Sequence, residues 1–200
     1  PSNAWFAPYV EAGRTTLGML GGPPATTSFS PNRTVNLAEF LKMAQLAAKD
    51  NPLSQYTDIT LPLAQDVQSA TAWFYPYLRL GIAMSMIQVG SDGLLHPERT
   101  LSRGEVAQIL FRAAMYREGR RTQALLSGTE VDMMNTLKMF EAKDLAQAQF
   151  ASARALLLAR GAAAARPNEP LVLGALKIAQ SFRSLVRAIQ AGEKQAFDET

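Results

Sequence analysis

Trp73-Phe74-Tyr75-Pro76-Tyr77-Leu78 repeats the pattern of Trp5-Phe6-Ala7-Pro8-Tyr9-Val10 at an offset of 68 residues. A second pair follows in the same order. Phe29-Ser30-Pro31-Asn32-Arg33-Thr34-Val35-Asn36-Leu37-Ala38-Glu39-Phe40 matches Leu95-His96-Pro97-Glu98-Arg99-Thr100-Leu101-Ser102-Arg103-Gly104-Glu105-Val106 at an offset of 66. Two anchors that keep their order mark a duplicated supersecondary unit. The chain therefore reads as two repeats, each a helix, an irregular loop and a second helix.

The second repeat shows why. Trp73, Tyr77, Leu80, Met84 and Ile87 recur at three- and four-residue steps, the period of a helix with one apolar face. Pro76 falls near the helix start, where its missing N–H costs nothing. Gly90-Ser91-Asp92-Gly93 supplies turn chemistry. Ser102 then stands three residues before Glu105, the spacing of a capping box. Val106, Ile109, Leu110 and Ala113 are the expected buried face behind it. In the first repeat Asn36 and Glu39 take the capping roles, and Phe40, Met43, Ala44 and Ala47 are the expected buried stripe. Its loop, Gly21 to Thr27, is expected to be non-helical.

Working outward, residues 1–50 form repeat 1, and residues 51–119 hold a linker and repeat 2. Asn51-Pro52 stops a helix, and Tyr56 to Leu63 has room for a short extended piece. Residues 120–200 change character to alanine, leucine and methionine. Helices are expected over Glu130–Glu141, Lys143–Ala165 and Glu169–Gln190. The last carries Leu171, Val172, Ala175, Ile178, Ala179, Phe182, Leu185, Val186 and Ile189 on one face, with Lys177, Ser184 and Arg187 elsewhere. The fold expected is all-α, the repeats followed by a helical extension that packs on them. The eight methionines read as gap-filling core, with an adaptable partner groove as the other reading.

Composition narrows the function classes. Hydrophobic residues make up 48% of the 200-residue chain, enough for a core, and there is no cysteine. Disulfides and cysteine-ligated metals are excluded. The net charge is +3. Residues 1–119 are balanced, with nine basic and nine acidic side chains, so the surplus lies beyond them. It forms no basic stripe, which argues against nucleic acid. No apolar run reaches the length of a membrane span, and no signal peptide is visible. His96 is the only histidine, so no metal site is expected. No nucleophile elbow, phosphate-binding loop or zinc-protease motif is present, and no pair of carboxylates is selected for glycoside hydrolysis. No cofactor is called for, and a non-catalytic protein is expected.

The repeated pattern resembles the S-layer homology (SLH) family. The family pattern is a tryptophan with a tyrosine after it, a helix, a glycine-containing loop, a Phe-x-Pro segment, and a helix opening on Thr-Arg-Ala-Glu. Trp73, Tyr77, Gly90, Asp92-Gly93, Pro97 and Ser102-Arg103-Gly104-Glu105 fit it. So do Trp5, Tyr9, Phe29-Ser30-Pro31 and Asn36-Leu37-Ala38-Glu39. Pro1 stands shortly before Trp5, as a proline often does in the family, so Pro1 to Ala4 is read as native. The resemblance covers residues 1–119. It implies attachment to the bacterial cell surface by binding cell-wall polysaccharide, often through acidic pyruvylated sugars, in grooves between repeats. Other surface-layer subunits are the further partners it implies. Two departures stand out: only two repeats are visible, and Leu37 occupies the position of the family arginine.

The candidate ligand-binding residues follow, each beside a plainer role. Arg103, at the first turn of a helix, can take a carboxylate in a bidentate way; otherwise it is a solvated surface arginine. Ser102 and Glu105, with Gly104 between them, are explained by capping, although the Ser102 hydroxyl can also donate to a sugar. Trp5 and Trp73 can serve as sugar platforms, but a tryptophan opening an amphipathic helix is more often core; Tyr9 and Tyr77 are read as core more firmly. Asp92 and Gly93 shape a turn and are candidates through their carboxylate and amides. Arg33 and Arg99, at matching positions before the capping helices, are candidates for an anion site, and Asn36 is the matching cap. The competing reading makes the repeats a degenerate scaffold and gives the function to the C-terminal helices as a protein-interaction module.

Overall fold

A computed structural model of the chain describes residues 4–16, 18 and 30–198, the side chains of 193–198 excepted. The expected glycine-rich loop at 21–27, Phe29 and the lead-in at Pro1 to Asn3 lie outside the described residues. Among the described residues seven helices follow in order: α1 Ala7–Thr15, α2 Leu37–Ala47, α3 Tyr75–Ala83, α4 Arg103–Arg117, α5 Thr122–Glu141, α6 Leu145–Ala165 and α7 Pro170–Asp198. Among the described residues no strand forms, and backbone pairing outside the helices is limited to isolated bridges. The protein is all-α.

The matched segments adopt the same local geometry. Helices α1 and α3 are each nine residues long, each enters through a phenylalanine in the αR region, and each has proline in its first turn. Trp5 meets Phe6 edge-on at 5.8 Å, and Trp73 meets Phe74 the same way at 5.6 Å. Both capping boxes form, Asn36 with Glu39 and Ser102 with Glu105.

Helix α3 lies at the centre of the molecule. It packs against α2 and α6, and α6 in turn packs against α5 and α7. One core runs from Leu37 and Leu41 through Leu78, Leu80 and Ile82 to Leu157, Ala159 and Val172. The closest approach falls at Gly161, where an added Cβ would lie 1.8 Å from the carbonyl oxygen of Ala83. Only a glycine lets α6 cross α3 at that separation.

Several expectations need correction. Residues 51–72 connect α2 to α3 but are packed into the core, where Ile59, Leu63, Ala64 and Val67 are buried. Tyr75 donates to the carbonyls of Ile59 (3.0 Å) and Leu61 (2.6 Å), and Arg79 donates to Ile59 and Pro52, so buried polar groups of α3 tie this segment down. No extended strand forms at Tyr56 to Leu63. Helix α3 stops at Ala83, and Met84 and Ile87 are buried beyond its end. On α2 the inward face is Leu37, Ala38, Leu41 and Gln45, and Ala47 is exposed. Gln45 belongs there because its amide donates to the Tyr77 carbonyl at 2.8 Å. Leu110 is exposed rather than buried. Helix α5 begins eight residues earlier than Glu130. On α7 the inward face is rotated: Val172, Ala179, Arg183 and Val186 are buried, while Leu171, Ile178 and Leu185 face out.

Candidate functional site

The polar residues at the starts of α2 and α4 meet along one seam. Asn36 and Thr100 form an antiparallel bridge. Leu37 N–H donates to the Arg99 carbonyl, Ala38 N–H to Pro97, and Leu101 N–H to Val35. These bonds set the starts of α2 and α4 side by side. Asn36 reaches across, its amide donating to Glu98 at 2.8 Å. The same side chain accepts from Glu39 N–H at 2.9 Å, so it caps and bridges at once.

Each capping glutamate also holds an arginine six residues before it. Arg33 binds Glu39 in a fork, with Nη2 at 2.8 Å and Nη1 at 3.2 Å. Arg99 pairs with Glu105 through Nη1 alone, because the second carboxylate oxygen is taken by Ser102. The backbone N–H and the hydroxyl of Ser102, then Arg99, hold the Glu105 carboxyl down at about 2. The hydrogen bond that Arg33 donates to Glu39, and then the Glu39 charge, raise the Arg33 guanidinium. Arg33 and Arg99 are thus engaged by glutamates. Ser102 accepts from Glu105 N–H and directs its one proton at the Glu105 carboxylate, 2.8 Å away.

Arg103 differs from both. It opens α4, is exposed, and makes no hydrogen bond or ion pair with any described residue. Among the described residues its guanidinium has no partner, unlike Arg33 and Arg99. Gly104 is exposed beside it. The position of Leu37, where the family pattern has arginine, is buried in the core. A long cation there would have to give up water, and the apolar residue fits its surroundings.

The loop before α4 is shaped by carboxylates. Asp92 accepts from Leu94 N–H at 3.0 Å and pairs with His96 Nε2 at 2.7 Å. That contact with His96, then the Leu94 amide, lowers the Asp92 carboxyl. Gly93 sits at φ +79°, a conformation that favours glycine. Asp66 accepts from both Leu95 N–H and His96 N–H, at 3.0 and 2.7 Å. Asp66 and Glu98 are the residues sequence reading missed here. Their partners lie 29 and 62 residues away, so no local spacing announces them.

The two tryptophans part company. Trp73 is half-buried, with the Lys42 ammonium 5.8 Å from its ring. Trp5 is 82% exposed and Tyr9 74% exposed. The core role expected of Trp5 and Tyr9 fails among the described residues, because no helix packs along α1 as α6 packs along α3. Tyr77, by contrast, is 7% exposed.

Among the described residues no group of three or more metal-binding side chains converges, and no helix is long and apolar enough to cross a membrane. Comparison with protein-family models, with curated proteins and with solved structures finds no match to the chain.

Proposed function

We propose that this chain is a non-catalytic binding module of the bacterial cell envelope, which holds a surface protein to an acidic cell-wall polysaccharide along the α2/α4 seam. The observation that carries the reading is the free Arg103 guanidinium beside two capping boxes whose own arginines are already neutralised. A carboxylate-bearing sugar would meet one uncommitted fork and the α4 N-terminus together. The exposed indole of Trp5 is available to the apolar face of a pyranose. The test is co-sedimentation with sacculi of the source organism, before and after the attached polysaccharide is stripped. Wild type should sediment only with intact sacculi, and Arg103→Ala should weaken that by about tenfold, the loss of one charge-assisted pair. Absence of binding to intact sacculi rejects the reading.

A second reading draws support from α5. Its inward face carries Thr129, Asp132 and Thr136, while Val131, Met134 and Leu137 face outward. Leu171, Ile178 and Leu185 are likewise exposed on α7, and exposed apolar side chains of this kind support a protein partner.

A further inference from the structure

A cavity of about 150 Å³ opens between α6, α7 and the segment that precedes α3. Its lining includes Arg160, Arg183 and Arg187, with Gln180, Ser184 and a single carboxylate, Asp58. Gln180, Arg183, Ser184 and Arg187 fall on one face of α7, at three- and four-residue steps. Asp58 is already claimed by Arg160 at 2.6 Å. Arg183 is 6% exposed, yet it has no carboxylate within ion-pair reach among the described residues. Among the described residues it donates one hydrogen bond, to the Ser152 hydroxyl at 3.3 Å. Arg187 has no ion-pair partner there either.

Three guanidinium charges therefore face one carboxylate in a small, partly enclosed space. Burying a cation without a counter-charge is costly, and native structures rarely carry it without use. Burial, and then the Arg187 charge, push the Arg183 guanidinium down to about 10. A monoanion would leave a positive charge uncompensated, and a dianion removes both. The space suits a compact anionic group rather than a drug-sized molecule. Arginine forks and a hydroxyl match the oxygens of a phosphate.

We propose that this cavity binds a dianionic phosphate group, with Arg183 and Arg187 as its principal ligands and Arg160, Gln180 and Ser184 around them. The site is separate from the α2/α4 seam and stands whether or not the chain anchors to a glycan.

The test uses the whole chain with inorganic phosphate as probe, at fixed ionic strength set with sodium chloride. Phosphate should raise the Tm in a saturable manner, and acetate should not. Arg187→Ala, an exposed position on α7, should fold normally and weaken phosphate by about tenfold. Arg183→Met should abolish the phosphate response while leaving the ligand-free Tm equal to or above wild type, since a buried uncompensated charge is removed. Arg103→Ala should respond as wild type. Equal stabilisation by acetate or chloride overturns the proposal, as does an unchanged phosphate response in Arg187→Ala.

Discussion

Helices α1 and α3 start from nearly the same words and end in opposite surroundings. Both enter through Trp-Phe, both carry proline in the first turn, and their ring contacts agree closely. Trp5 and Tyr9 lie in solvent; Tyr75, Tyr77 and Leu78 are buried. Local sequence is enough to set the turn and the helix entry. Burial depends on what arrives later in the chain, and here that is α6. The extension is thus the partner that turns one of two equivalent helices into the centre of a core.

The largest expected effect tests that partnership. Gly161→Ala puts a methyl group into the Ala83 carbonyl, and backbone on both sides has to separate. A cost of about 3 kcal/mol or more is expected, at the upper end for overpacking. Urea denaturation followed by circular dichroism measures it. A loss under about 0.5 kcal/mol, the scale of an ordinary surface change, would show that α6 does not hold α3 in place.

The next effect addresses the two helices directly. Tyr77→Ala should cost about 3 kcal/mol, as for other large buried side chains. Tyr9→Ala, at the equivalent position of α1, should cost under about 0.5 kcal/mol. The same denaturation curves compare them. Equal losses would break the comparison, because Tyr9 would then be covered in solution.

What sequence alone revealed follows the same division. The caps at Asn36 and Ser102, the proline-containing helix starts and the three long C-terminal helices depend on neighbours in sequence, and all of them form. The faces did not read as well. The alternation on α2 and α7 points to more apolar positions than the core can take, and polar groups enter where a distant partner waits. Gln45 goes inward because the Tyr77 carbonyl needs a donor. Arg183 goes inward toward the cavity, displacing Ile178 and Leu185 from the expected face. The all-round burial of α3 carries no local signal, since Arg79 is accommodated by the carbonyls of Ile59 and Pro52, 20 and 27 residues away. Of the candidate site, the doubled capping boxes were legible. Glu98, Asp66 and the three-arginine cavity were not, because each is assembled from segments far apart in the chain.

The smallest effect concerns the capping boxes, each of which is closed by near neighbours in sequence. Glu105 is ionised against Ser102 and Arg99, and its carboxyl is brought from 4.5 to about 2. A carboxyl lowered on folding adds stability that is fully present above its ordinary value. That stability is lost as pH falls through the interval down to the folded value. Glu105 therefore contributes to an acid limb between about pH 4.5 and pH 2. Glu105→Gln keeps a capping side chain but loses the charge, so its urea midpoint should fall less steeply over that interval than wild type, while the two converge at the acid end. The side chain is well exposed, so the difference should be small and should shrink with added salt. Parallel acid limbs in the two proteins would mean that the capping glutamate acts through its shape alone. The repeats would then share a geometry without sharing the charge network that now accompanies it.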